Sequence, residues 1–161
     1  MDRIAVIDAS PLIFLSRAGQ IELLHHFAGR FLVPDPVAVE IRRKSPKDIT
    51  SQVLEMISWL EIVPSPAVPE AIVEWGLGPG ESSVLALSYG YPDREAIIDD
   101  LAGRRCAASM GIPVRGTLGI VLLAKRKGII PNARPVIEAL IRSGMYLSSR
   151  VLDEALARVG E

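Results

Sequence analysis

Residues 3–8 read RIAVID, a continuous apolar run that ends in an aspartate. A strand that is apolar on both sides is typical of the centre of a parallel sheet, because helices cover both faces of such a sheet. The residues that follow, ASPLIFLSRAG, predict a helix with Ser10 as its candidate cap, Pro11 in its first turn and Gly19 at its end. A central strand followed at once by a helix indicates an α/β protein.

The same alternation of strands and helices continues along the chain. Further strands are predicted at RFLVP (30–34), WLEIV (59–63), EAIID (95–99) and IPVRG (112–116), and the proline- and glycine-rich segment 64–79 is predicted to be a loop. This order predicts an α/β fold, a three-layer α/β/α arrangement with a central parallel sheet. We expect a single domain over residues 1–161, with a core over about 1–128 and C-terminal helices over about 132–160.

Composition limits the classes of function. The 161 residues carry 18 basic and 19 acidic side chains and a formal net charge of −1, which argues against nucleic-acid binding by bulk charge alone but allows a local basic patch. A single cysteine, Cys106, excludes an internal disulfide and a cysteine-rich zinc site. No apolar run approaches the roughly 18 residues of a membrane span, and we expect a cytoplasmic protein without a membrane partner.

Acidic residues fall where such a fold binds its ligands, beyond the carboxyl ends of the strands. Asp8 ends the first strand, and the adjacent Asp99 and Asp100 end the fourth. Glu40 lies on the helix after the second strand, and Glu81 opens the helix after the turn GPG. Neighbouring carboxylates repel unless they are protonated or bridged by a cation. Mg²⁺ and Mn²⁺ accept oxygen ligands and can activate water for attack on a phosphodiester.

Each of these acids also has a purely structural interpretation. Asp8 and Asp100 could cap the helices that follow them, and Asp99 could simply be solvated. Glu81 could interact with a helix N-terminus, and Glu40 could form local ion pairs with the basic residues after it. From the residues alone these alternatives stay open, and Asp100 is the preferred functional member of the adjacent pair.

Five segments within residues 4–128 resemble the PIN-domain family of metal-dependent ribonucleases: VIDASPLI, VPDPVAVEI, GPGESSVLAL, IIDDLAGRRCA and GIPVRGTLGIVLLAKRKG. The likeness is closest to compact PIN-like prokaryotic proteins related to VapC-type toxins. It implies an acidic cluster that binds Mg²⁺ or Mn²⁺ and cleaves single-stranded RNA. It also implies a toxin of a toxin–antitoxin pair, a homodimer and a small antitoxin partner.

The resemblance assigns roles by position in this chain. Asp8, Glu40, Glu81 and Asp100 match the catalytic acids; Asp8, Glu81, Asp100 and Asp99 are the candidate metal ligands. Ser10 and Thr117 are supporting residues. Two departures matter: Ile98 stands where the family commonly has threonine, which leaves the choice between Asp99 and Asp100 open. Glutamate at position 81, where many members have aspartate, lengthens the arm enough for an intervening water.

Basic residues flank the proposed site. Arg42 and Arg43 follow Glu40, and Arg104 and Arg105 follow the paired aspartates. They are weak candidates for binding RNA phosphates, with a solvated helix face as the alternative. Aromatic residues make up only 5% of the chain, so recognition of bases by ring stacking is not indicated.

Two other functions compete with a ribonuclease. The first is a catalytically weak or inactive PIN-like module that binds RNA or a protein partner through the same acidic pocket. The second is a phosphatase of the haloacid dehalogenase type, suggested by an aspartate at the end of the first strand. That class normally needs a second aspartate at position 10, and the serine there argues against it.

Overall fold

The computed structural model describes residues 3–44 and 47–161. Its strands are β1 (Ile4–Ile7), β2 (Arg30–Pro34), β3 (Leu60–Val63), β4 (Glu95–Ile97) and β5 (Val114–Arg115). They form one sheet in the order β3-β2-β1-β4-β5, and every neighbouring pair is parallel. The run RIAVID is therefore the central strand, as predicted. The strand order reverses at β1, so the topological switch point lies between β1 and β4.

Helices occupy the connections between the strands and the part of the chain after them. They are α1 (Ala9–Arg17), a 3-10 helix (Ile21–His26), α2 (Asp35–Lys44), α3 (Ile49–Met56), α4 (Glu70–Val73), α5 (Pro79–Ser88), α6 (Leu101–Ser109), α7 (Thr117–Arg126), α8 (Arg134–Arg142) and α9 (Ser149–Arg158). They flank the sheet, which confirms the predicted three-layer α/β/α fold. No helix in the described ranges combines the length and the apolar character needed to cross a membrane.

The register of β1 and β4 positions the edge where the acids lie. Val6 is level with Leu32 on one side and Ala96 on the other, and Ile7 is level with Ile97. Val6 and Ile7 are fully buried, and burial of one such side chain contributes about 1.5–3 kcal/mol. The backbone N–H of Asp8 donates to the carbonyl of Ile97 at 3.0 Å. The residues after β1 and after β4 therefore emerge side by side.

Three local predictions were wrong. α1 begins at Ala9, so Asp8 occupies the cap position and the predicted cap, Ser10, lies in the first turn. β4 ends at Ile97 rather than at residue 99. The N–H of Ile98 still donates to the carbonyl of Arg115, but Asp99 accepts hydrogen bonds from Thr117 and Asp100 caps α6. The predicted loop 64–79 contains the one-turn helix α4, which forms because the fully buried Ile72 packs into the core.

The C-terminal helices are tied to the rest of the chain by a carboxylate. Glu161 accepts hydrogen bonds from the N–H of Ala133 at 2.5 Å and of Arg134 at 3.1 Å, at the start of α8. Lys125 on α7 lies 3.6 Å from the same side chain. The backbone N–H of Ala133, with those other groups, holds the pKa of Glu161 below its usual value. Helix α8 also packs against α1 and α7.

Candidate functional site

Asp8 is the innermost acid at the carboxyl edge of the sheet. Its side chain is 3% exposed, and although it stands at the cap position of α1 it makes no capping hydrogen bond. Oδ1 is buried and has no hydrogen-bond partner within residues 3–44 and 47–161. Buried polar atoms are nearly always hydrogen-bonded, so an unpaired carboxylate oxygen is unusual. Helix capping therefore does not account for Asp8.

Three further acids act on Asp8 through their charge. The pKa of Asp8 is raised to about 7, mainly by burial and next by the negative charge of Glu81, against the opposing effect of the Ala9 backbone N–H. The charges of Glu40 and Asp99 act in the same direction as that of Glu81. The fold thus brings acids from the end of β1, α2, α5 and the segment after β4 close enough for their charges to interact.

Gly80 keeps the space between two of these acids open. A Cβ at this position would lie 3.1 Å from Asp8 Oδ1 and 3.5 Å from Glu40 Oε2. Both oxygens therefore face the same point, beside the first turn of α5. A contact of 3.1 Å is tighter than ordinary packing, so any side chain at Gly80 would push on the Asp8 carboxylate. The need for glycine in the turn GPG follows from this close approach.

Glu40 and Glu81 approach Asp8 from two helices. Glu40 is half exposed, and its Oε1 lies 3.4 Å from Lys44 Nζ one turn later on α2. Its other oxygen faces Gly80, so Glu40 makes the expected local ion pair and also borders the site. Glu81 lies in the first turn of α5. Its Oε2 folds back to within 2.7 Å of the point that a Cβ on Gly78 would occupy.

Asp99 is held firmly by the start of α7. Its Oδ1 accepts from the N–H of Thr117 at 2.7 Å, and its Oδ2 accepts from Thr117 Oγ1 at 2.7 Å. Thr117 is fully buried, so the carboxylate is fixed by a rigid partner 18 residues away in sequence. Gly116 also approaches Asp99 closely, because a Cβ there would lie 3.1 Å from Asp99 Oδ1. Simple solvation therefore does not describe Asp99.

Asp100 has the role of a helix cap. Its Oδ2 accepts from the N–H of Gly103 at 2.8 Å, which satisfies one of the free donors at the start of α6. Asp100 is exposed, and its charge is not among those that raise the pKa of Asp8. Asp100 nevertheless lies near the site. A Cβ on Gly103 would lie 3.6 Å from Asp100 Oδ2 and 3.7 Å from Glu81 Cγ, so both side chains border the same small space. The geometry therefore favours Asp99 over Asp100 as the acid facing Asp8.

The donor set suits a hard divalent cation. It consists of carboxylate oxygens, which Mg²⁺ and Mn²⁺ prefer, and these ions keep several waters, so few direct protein ligands are needed. Within the described ranges, no three His, Cys, Asp or Glu side chains form a group that could hold a metal as they stand. The fit rests instead on the unpaired Oδ1 of Asp8, on the space left by Gly80, and on the acids around them.

The chain was compared with models of known protein families. A family model described as a PIN domain matches residues 4–161. The chain belongs to the PIN-domain family. PIN domains are generally nucleases and typically use divalent metals. The predicted family membership is confirmed, whereas this match does not address the narrower likeness to VapC-type toxins. No curated protein matches the sequence.

A groove of about 670 Å³ runs along the acidic site of this PIN domain, between α2 and the turn that precedes α5. Glu40, Gly80 and Glu81 of the site line this groove, together with Val39 and Arg43 of α2. Sequence reasoning singled out the acids but not the groove. The alternation of small and apolar residues in GPG and in PVAVE is compatible with many packed surfaces, so no local signal identifies it.

The remaining predicted residues lie around the site with different contacts. Ser10 is half-buried in the first turn of α1 and makes no side-chain hydrogen bond to any other residue in the described part of the chain. Arg42, Arg43, Arg104 and Arg105 are all exposed. Cys106 is fully buried, and desolvation raises the pKa of its thiol, as expected for a core residue.

Proposed function

We propose that the protein is an endoribonuclease that hydrolyses single-stranded RNA and depends on Mg²⁺ or Mn²⁺. The observation that carries the proposal is Asp8, a buried carboxylate with an unpaired oxygen, surrounded by Glu81, Glu40 and Asp99 at the switch point of the sheet. Membership of a family of metal-using nucleases supports the reaction class.

The proposed roles follow from the contacts of each acid. A bound cation would supply an acidified water and neutralise charge on the phosphate. Asp8, Glu81 and Asp99 are the proposed residues that hold it, and Thr117 fixes the orientation of Asp99. Glu40 borders the same space across Gly80 and is proposed to orient the attacking water. Asp100 and Ser10 lie at the rim, where Asp100 caps α6.

The direct test is cleavage of a single-stranded RNA oligonucleotide with a fluorescent end label. We expect cleavage with Mg²⁺ or Mn²⁺, none with EDTA, and a loss of at least about 100-fold in Asp8→Asn, since removal of one preorganised charged group commonly costs this much. The control is Asp93→Asn, because Asp93 is exposed and precedes β4 at the opposite end of the sheet. Cleavage that persists in EDTA or in Asp8→Asn would disprove the proposal.

One observation favours the second candidate, an inactive PIN-like binding module. No group of acids within the described residues is already arranged to hold a metal, and in such a module none would need to be. The same assay separates the two candidates. Binding of a mixed RNA pool without cleavage of any RNA in it, in the presence of Mn²⁺, would support the binding module.

Gly80→Ala tests whether the space beside Asp8 matters. We expect weaker Mn²⁺ binding and slower cleavage, each by about tenfold, because the added methyl group would lie 3.1 Å from Asp8 Oδ1 and tenfold corresponds to about 1.4 kcal/mol. Alanine favours a helix over glycine, so thermal stability should not fall substantially. Titration calorimetry with Mn²⁺ measures the effect, and Ser82→Ala in the same turn of α5 is the control. Unchanged Mn²⁺ affinity in Gly80→Ala would mean that the metal binds elsewhere.

The proposal includes a biological role as the toxin of a toxin–antitoxin pair, acting as a homodimer in the cytoplasm and restrained by a small antitoxin. The likeness to VapC-type proteins supports this role. Val73 is the last residue of α4 and Trp75 follows two residues later. They are 57% and 41% exposed, which suits an apolar contact with a partner. Growth arrest on expression in bacteria, relieved by the product of an adjacent small gene, would support it.

A further inference from the structure

Four exposed arginines lie on the two helices beside the site, and they differ in whether their side chains face it. Arg42 and Arg43 are adjacent on α2, and Arg104 and Arg105 are adjacent on α6. All four are exposed, and none forms an ion pair or a side-chain hydrogen bond with the residues that the structure describes. Adjacent residues of a helix point about 100° apart. One member of each pair can therefore face the site while its neighbour cannot.

On α2 the residue that faces the site is Arg43. It lines the groove of about 670 Å³ together with Glu40, Gly80 and Glu81, whereas Arg42 does not. Lys44 lies on the same groove, but its charge is engaged 3.4 Å from Glu40. Of the described residues that line the groove, Arg43 is therefore the cation without an ion pair. Val39, 47% exposed, adds an apolar surface to the groove.

On α6 the residue that faces the site is Arg104. Its Nη1 lies 3.4 Å from the point that a Cβ on Gly116 would occupy, and Asp99 Oδ1 lies 3.1 Å from the same point. The absence of a side chain at Gly116 therefore lets the guanidinium approach the edge of the acidic site. Arg104 lies on the side of the acidic site where Asp99 stands, and Arg43 lies on the side where Glu40 stands. The two guanidinium groups flank the acids on different sides.

The negative charge of the metal-free site favours flanking cations for the binding of an RNA substrate. Asp8, Glu40, Glu81 and Asp99 would repel a polyanion, and the net charge of −1 provides no general attraction. A guanidinium group is well suited to compensate, because its planar fork can bind a phosphate through two hydrogen bonds. The charge of the substrate therefore complements Arg43 and Arg104 and not the acids between them.

Building on the proposed function, we infer that one strand of RNA crosses the site from the groove to Gly116. Arg43 binds a backbone phosphate on the groove side of the scissile bond, and Arg104 binds a phosphate on the Gly116 side. Val39 contacts the sugar or base that enters the groove. Arg42 and Arg105 take no part in this path. The protein thus holds the backbone on both sides of Asp8 without reading the bases.

The experiment compares the four single alanine variants in the full-length protein. Binding of a labelled single-stranded RNA of about 12 nucleotides is followed by fluorescence anisotropy in EDTA, so that cleavage does not interfere. We expect Arg43→Ala and Arg104→Ala each to raise Kd by about 5- to 10-fold, and each to reduce the slope of log Kd against log salt by about 0.7, the value for one phosphate contact on a single strand. Arg42→Ala and Arg105→Ala should stay within about twofold of the parent.

The outcomes separate this inference from the proposed function. Equal losses in all four variants would overturn it, because they would indicate a general charge effect. Normal binding by Arg43→Ala and Arg104→Ala in a protein that cleaves RNA would also overturn it, and the ribonuclease would stand. Selective losses in a protein that binds RNA but never cleaves it would support the path and reject the catalytic function.

Discussion

Replacing Asp8 by asparagine is expected to stabilise the metal-free protein at pH 8. The pKa of Asp8 is about 7 in the folded protein against an ordinary value of 3.8. Between pH 3.8 and about 7, Asp8 is protonated in the folded state and ionised in the unfolded state. The free energy of unfolding therefore falls as the pH rises through this range, and the whole loss of stability is present above pH 7. That cost is on the order of 4 kcal/mol at most, and asparagine, which carries no charge, removes it.

Urea unfolding in EDTA at pH 4 and at pH 8 measures this effect. We expect the two proteins to have similar unfolding free energies at pH 4 and Asp8→Asn to be the more stable at pH 8. Addition of Mn²⁺ at pH 8 should stabilise the wild type and leave Asp8→Asn unchanged, because a ligand stabilises only the state that binds it. Asp93→Asn serves as the control. If the unfolding free energies of wild type and Asp8→Asn changed in parallel with pH, burial and the acidic neighbours would not raise the pKa of Asp8.

Asp99→Asn is expected to have a much larger effect than Asp100→Asn, although the two residues are adjacent. Both oxygens of Asp99 accept hydrogen bonds from Thr117. In Asp99→Asn the amide oxygen can still accept from the Thr117 N–H, but the amide NH2 then faces the Thr117 hydroxyl, whose own hydrogen loses its acceptor. We expect a loss of about 1–3 kcal/mol in stability and of about 100-fold in cleavage, since the charge beside Asp8 also disappears. Single-turnover cleavage and urea unfolding measure the two effects.

Asp100→Asn is the matched comparison. Asparagine is as good a helix cap as aspartate, and the charge of Asp100 does not act appreciably on Asp8. Its stability should stay within about 0.5 kcal/mol of the parent, and cleavage should fall by less than about tenfold. A greater loss of cleavage in Asp100→Asn than in Asp99→Asn would restore the assignment that the sequence alone favours.

The sheet and its layers could be predicted because they follow from local patterns. Apolar runs such as residues 3–8 and 30–34 mark buried parallel strands, and the helical segments between them require crossovers. The helix α4 could not be predicted, because the prolines around it indicate a loop. It forms where Ile72 is buried, and that burial depends on tertiary packing. The capping role of Ser10 was wrong because α1 begins one residue earlier than the pattern indicates.

The candidate site could be predicted only in its outline. Acids at strand ends indicate which edge of the sheet carries the site, since parallel strands share that edge. The difference between Asp99 and Asp100 depends on Thr117, which lies 18 residues away. The importance of Gly80 and Gly116 depends on which side chains approach them across the fold. Such contacts between distant segments leave no trace in the local sequence pattern.

The central claim is that a divalent cation binds at Asp8, and a crystal soaked in Mn²⁺ tests it most directly. Anomalous scattering from manganese locates the ion without assumptions about its ligands. We expect a peak about 2.0–2.2 Å from Asp8 Oδ1, the range for a small divalent cation and a carboxylate oxygen, with Glu81 and Asp99 nearby. The same soak of Asp8→Asn should show no such peak. A manganese ion bound at other residues, with Asp8 uncoordinated, would contradict the account.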